Sequence, residues 1–281
     1  MQDFLELAVS AAASGCIYAL IALAYLLMIR PTGIINFAVG EWAMVGAFGG
    51  FLLLSRYEWP YPLGLAAILA FMLLVGWGTE RIAVRPLVEK GAPLLAPILA
   101  LLGMLVVFRE SVSLYFGPDP HQVPEAVDFQ YLKYFTIGAT LLVFAGVWLF
   151  FEKTLWGRSF EAVSLNRKAA ALMGINLSRV TAVSFAGGAA AAGLGGLLVA
   201  PNTSAHYLMG VPLAIQGFTA LVIGGVGRVE GALLGGLLVA FAEQLTVRYA
   251  PIPSGYAQGV PLLLLMVFLL VRPTGLLRAR A

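Results

Sequence analysis

The chain has 281 residues, of which 60% are hydrophobic and only 11% charged, with 17 Lys and Arg against 14 Asp and Glu and a mean hydropathy of +0.92. A soluble domain carries about 25% charged residues, so the charges here are too few to coat a water-soluble particle. A water-soluble enzyme, a nucleic-acid binder and a secreted disulfide module are excluded. The lone cysteine, Cys16, sits in an apolar run and supports no disulfide framework. What remains is an integral membrane protein.

A bilayer core about 30 Å thick is crossed by about 20 helical residues. Apolar runs near that length occupy 7–29, 35–54, 62–84, 93–116, 134–151, 181–200, 212–223, 231–247 and 257–271. They predict an all-α, polytopic transmembrane helix bundle of eight or nine spans, forming one domain over 1–281. The seventh run is short, and with Gly224, Gly225 and Gly227 at its end it reads as a broken or re-entrant segment. The N-terminal MQDFLEL has two acids and no base, so it lacks the basic region expected of a cleaved signal peptide.

The basic residues alternate between loops. The outer loops 55–61 and 117–133 hold only Arg56 and Lys133. Thirteen of the 17 fall on the other side: Arg30, Arg81, Arg85, Lys90, Lys153, Arg158, Arg167, Lys168, Arg179, Arg228, Arg272, Arg278 and Arg280. The positive-inside rule assigns that side to the cytoplasm. The N-terminus is then outside and the C-terminus inside, a parity that favours nine spans over eight. One phrase recurs: LLMIRPTGII at 26–35 and LLVRPTGLL at 269–277. Both copies leave an apolar run on the basic side, and Pro31 and Pro273 read as helix stops.

Ionisable groups within apolar runs cost about 2.5–3.5 kcal/mol each at mid-membrane and are expected to face protein or water. Glu41, Arg109, Glu110 and Glu243 are such groups. Glu41 follows Asn36 and the Pro31-Thr32-Gly33 break, which brings both residues to the translocation path or to an interhelical hydrogen bond. Glu243 lies two helical turns beyond Gly236, on about the same face, and points into the bundle. Arg109 and Glu110 read as a local ion pair or as groups reaching the outer interface. Gly227, Gly231 and Gly235 fall four apart and form a small-residue packing face, with Ala189 and Gly193 forming another. His121 and His206 have no neighbouring Cys or paired acids, so no metal site is expected. Tyr57, Trp59 and Tyr61 read as an interfacial aromatic belt.

The longest polar stretch, 152–180, reads EKTLWGRSFEAVSLNRKAAALMGINLSRV. Phe160, Val163, Leu165, Ala170, Leu172 and Met173 fit one short helix that contains Glu161 and ends at Gly174. Lys168-Ala169-Ala170 followed by Gly174 resembles the EAA-x3-G pattern of permeases of ATP-binding-cassette importers, with Lys in place of Glu. The alternative is an amphipathic helix lying on anionic lipid.

Further segments resemble branched-chain amino acid importer permeases of the LivH type. They are GCIYALIALAYLLM at 15–28, PTGIINFAVGE at 31–41, KAAALMGINLSRV at 168–180, GGVGRVEGALLGG at 224–236 with Ala242-Glu243 after it, and the terminal VRPTGLL. They span most of the chain in the family's order. Val39 departs from the family's NFAHGE, so no polar side chain is carried over at that position. The resemblance implies a non-enzymatic permease subunit, without cofactor, that passes hydrophobic amino acids across a bacterial inner membrane. It also implies partners: a second permease, two ATPase subunits and a periplasmic binding protein. The sequence holds no G-x-x-x-x-G-K-[ST], so ATP hydrolysis belongs to another chain. An ion-coupled secondary transporter would also use broken helices and midplane carboxylates but has no need of the basic loop. A membrane-embedded enzyme would need clustered acids, metal ligands or a nucleophile–base pair.

Overall fold

The computed structural model describes residues 2–249, 259–272 and 275–277. Pro273, Arg278, Arg280 and the start of the ninth apolar run lie outside the described residues. Helix α1 (Gln2–Thr32) occupies the centre and is apolar around its middle turns, with Ala19–Ala24 fully buried, where such a segment belongs. Helices α6 (Phe129–Lys153), α9 (Leu177–Thr203), α10 (Gly210–Gly224) and α11 (Val229–Tyr249) pack around it. Helix α2 (Val39–Gly50) continues through a π-wound turn, Phe51–Arg56, and packs on α9 and α10. Helix α3 (Tyr61–Thr79) also lies on α9 and passes through a second π turn, Glu80–Val84, into α4 (Arg85–Glu89). Helix α5 (Leu95–Phe116) is peripheral and buries few of its side chains, as does α6. The short helices α7 (Leu155–Leu165) and α8 (Arg167–Leu172) form an elbow between α6 and α9, and α12 (Val260–Val271) closes the bundle.

Glycines bring these helices together. A Cβ at Gly196 would lie 1.8 Å from the carbonyl oxygen of Ala43, and one at Gly46 would lie 2.2 Å from that of Gly193. On the other side of the bundle, Gly224 and Gly235 would meet the carbonyls of Gly231 and Ala220 at 1.9 Å, and Gly236 would meet Gly15 at 2.5 Å. Lipid tails are as apolar as leucine, so van der Waals contact at small residues holds the helices where hydrophobicity does not.

Among the described residues, six helical segments are long and apolar enough to cross a membrane, those containing α1, α3, α5, α6, α9 and α11. Two expectations change. The seventh apolar run is helical along its length, as α10, of 15 residues, and the glycines at its end form the turn to α11; a further interruption lies between α1 and α2, at 33–38, beside the expected Pro31-Thr32-Gly33 break. Pro31 does not stop α1, which includes it and ends one residue later. The stop is Gly33, at φ 70°, whose N–H still donates to the carbonyl of Ile29 at 2.8 Å. Termination of this kind needs a left-handed residue, which glycine supplies without strain. Gly275, beyond α12, has a similar positive φ of 74°, with its N–H donating to the Arg272 carbonyl at 3.1 Å. Beyond it, the N–H groups of Leu276 and Leu277 donate to the carbonyls of Ile223 and Gly224 at 2.8 and 3.1 Å, capping α10.

A side chain at the α2–α9 crossing is not accommodated. Gly196→Val is expected to destabilise the protein by about 3 kcal/mol, while Gly103→Ala, which meets nothing within 4 Å, is neutral; thermal unfolding in detergent compares the two.

Candidate functional site

The chain between α1 and α2 satisfies its own backbone. Thr32 Oγ1 donates to the carbonyl of Met28 at 2.5 Å and accepts from Ile34 N–H at 3.0 Å, while Asn36 Oδ1 accepts from Ala38 N–H at 2.9 Å. Asn36 is fully buried, with Nδ2 directed at the Met28 sulfur at 3.5 Å. Two polar side chains thus do for this turn what water cannot do in an apolar interior.

Glu41, in the first turn of α2, is 1% exposed and accepts from an Arg109 guanidinium nitrogen at 2.6 Å. Its other oxygen has no hydrogen-bond partner and lies over Gly210, where a Cβ would come within 2.7 Å of it. The Nε of Arg109 and Nε1 of the adjacent Trp42 are also unpaired and buried. Arg109 therefore does not form a local pair with Glu110, nor does it reach outward. Successive helical residues point about 100° apart, so Arg109 turns into the bundle and Glu110 is exposed. The pair is the polar tie between peripheral α5 and α2.

A second polar group joins α1, α10 and α11. Tyr18 donates to Glu243 Oε2 at 2.7 Å, and Gln216 Nε2 lies 3.4 Å from Oε1. Gly231 and Gly235 pack on α10, whereas Gly227 lies in the turn before α11 and takes no part in that helix face. A residue in a turn does not follow helical spacing, and the four-residue count fails there.

On the face of Arg30, Arg158 and Arg228, a groove of ≈ 650 Å³ is lined by these three arginines and by Glu152, Glu161 and Glu230, with Gly227 at its edge. The elbow α7–α8 forms one wall. It is two helices rather than one, because Asn166 turns the chain and caps α8, accepting from Ala169 N–H at 3.0 Å. Thr154 caps α7 likewise, accepting from Gly157 N–H at 3.0 Å. Phe160, Val163, Ala170 and Val180 form a small core of their own. Leu165, Leu172 and Met173, expected to share that face, point away, and the last two are 89% and 83% exposed. Glu161, Lys168 and Ala169 are also exposed. Gly174, at φ 86°, ends α8, with Ile175 N–H donating to the Ala170 carbonyl at 3.1 Å.

Glu80 is a further buried carboxylate, inside the third apolar run and four residues before its end, where Arg81 and Arg85 follow it in the sequence. His121 stacks on Phe51 at 4.3 Å, and its backbone pairs with Ala205. It ties the 117–128 loop to the α9–α10 connection.

A family model described as a branched-chain amino acid transport system permease component matches residues 7–269. The chain is 30% identical over 297 residues to the "High-affinity branched-chain amino acid transport system permease protein LivH" of Salmonella typhimurium, covering 98% of this chain and 95% of that one. It is 31% identical to the corresponding protein BraD of Pseudomonas aeruginosa, covering 99% and 96%. Among solved structures, "PsaBC from Streptococcus pneumoniae in complex with Fab" is similar, with a TM-score of 0.53 over 94% of this chain and 91% of that one. At 10% identity that likeness is one of fold alone.

Removing one member of the buried pair leaves a stranded charge. Arg109→Met is expected to cost about 3 kcal/mol, the lower end for such a break because Arg109 is partly exposed. Adding Glu41→Gln is expected to recover most of the loss, as read from the unfolding midpoint in detergent.

Proposed function

Because the chain belongs to the family of permease components of branched-chain amino acid transport systems, we propose that it is the membrane-spanning subunit of an ATP-driven importer of branched-chain or related hydrophobic amino acids. It is a transport subunit and not an enzyme. The observation that carries the coupling to ATP is the α7–α8 elbow. Leu172 and Met173 stand out from the basic face beside Lys168, on a tip braced by its own small core. Apolar side chains so exposed on a polar loop are suited to a protein groove. Glu161, Lys168, Ala169, Ala170 and Gly174 belong to this docking element, with Ala170 anchoring it inward and Gly174 setting its exit.

The partners in this reading are two ATPase subunits, a periplasmic binding protein and a second permease subunit. The location is the bacterial inner membrane. The orientation is N-terminus out and C-terminus in, with nine spans. The six long segments, α2 with its π turn, α10 and α12 supply nine, and the basic residues favour that sidedness. Asn36, Glu41 and Glu243 flank the translocation path. What supports this is that each is a polar group in an apolar helix environment, and that the two carboxylates take their partners from other helices.

Gly174→Pro forbids the left-handed conformation at the end of α8, and Ala170→Glu forces a charge into the elbow core. Either is expected to abolish ATP-driven leucine uptake while the protein still inserts and accumulates; normal uptake would remove the docking assignment. Purification of the tagged chain from its native membrane in mild detergent is expected to bring a P-loop ATPase and a second permease in stoichiometric amount. A preparation of this chain alone that drives uptake under an ion gradient would overturn the importer reading.

A further inference from the structure

Glu80 occupies the π turn that joins α3 to α4, and it is 2% exposed. Its Oε2 has no hydrogen-bond partner. A buried unpaired carboxylate oxygen is costly, so one that persists in the fold calls for a purpose. The groups within electrostatic reach are Arg85, Glu89 and Arg81. Arg85 follows by five residues, and its N–H donates to the Glu80 carbonyl. In a π turn, residues five apart share that hydrogen bond and lie on one face. The Arg85 side chain is nonetheless committed elsewhere. One guanidinium nitrogen donates to Ser178 Oγ, while Nε lies 3.2 Å from Glu89 Oε1 as an ion pair without a hydrogen bond.

Ser178 is the significant partner. It stands in the first turn of α9, immediately after the Asn176 cap and four residues beyond Gly174. Ile175, Leu177 and Val180 pack into the elbow core with Ala170. The exposed tip and the start of α9 therefore share one small core, and Arg85, at the start of α4, is a polar link from that core to the segment continuing α3. Glycine contacts on α3 and α9 are tight, with Gly76 against the Phe185 carbonyl, so neither helix has room for a side chain at that crossing. The π turn supplies slack, because its extra residue lets the segment beyond it rotate without breaking the helix.

We infer that Glu80 is a positioning residue for energy transmission: Arg85, held here by Ser178 and Glu89, transfers to the open oxygen of Glu80 when the elbow moves, and so carries that movement from α9 to α3. The inference rests on the importer reading. It adds a relay that neither the path carboxylates nor the docking tip contains.

The test is the ratio of leucine taken up to ATP hydrolysed, in vesicles holding the whole importer and supplied with its binding protein. Glu80→Gln and Ser178→Ala are each expected to lower that ratio at least fivefold, and the double variant no further than the deeper single, because both act on one relay. Glu110→Gln, exposed and outside the relay, is expected to leave it unchanged. A merely structural role would lower accumulation and leave the ratio at the wild-type value, which would overturn the relay. Should Glu80→Gln fail to accumulate, Glu80→Asp carries the test, since it keeps the charge at shorter reach. A reduced ratio supports the relay, and a wild-type ratio overturns it. If the wild-type vesicles show uptake without ATP, the importer reading falls, and the relay with it.

Discussion

Helices in a bilayer gain little by hiding apolar surface from one another, since the surrounding lipid is just as apolar. What holds this bundle is the distance to which backbones approach, and everything else is arranged around that constraint. The crossing of α2 and α9 places Gly196 on the Ala43 carbonyl and Gly46 on that of Gly193. The α10–α11 hairpin does the same with Gly224, Gly231 and Gly235, and α11 reaches the centre through Gly236 on Gly15. With its backbone so closely invested, α1 has no polar face around its middle turns and needs none.

The second constraint is that every backbone group in an apolar interior must find a partner. Where the chain leaves helical form between α1 and α2, the partners are side chains two and four residues away, from Thr32 and Asn36. This local closure permits α2 to begin inside the protein and delivers Glu41, buried, to Arg109. The same economy governs the elbow, where Thr154, Asn166 and Asn176 cap three successive helices. A loop with so many caps is a built part, with its own core, and not a slack connector.

Much of this was readable in the residues. Composition fixed the membrane class, and the segments around Asn36-Glu41, Lys168–Gly174 and Gly224–Gly236 pointed to the family. Charges were harder, because a sequence gives neighbours along the chain and an ion pair such as Glu41–Arg109 joins α2 to α5 across 68 positions. Arg109 and Glu110 look like a pair when written side by side, yet helical rotation sends them to opposite surroundings. Glu80 was hidden for a related reason: a carboxylate followed closely by two arginines looks like the edge of a span, and only the π turn reveals it as interior. Pro31 drew attention away from Gly33, whose positive φ leaves no mark in composition.

The contact between Leu276, Leu277 and the end of α10 has a consequence for how the molecule is completed. The carbonyls of Ile223 and Gly224 are satisfied by residues that lie beyond α12 in the chain and are therefore made after the α10–α11 hairpin. Closing that contact brings together segments far apart in sequence, the kind of pairing that forms late because the ordering cost precedes any gain. The hairpin is therefore made before the residues that fasten it, and a chain that stops short of Gly275 would carry the bundle without that clasp.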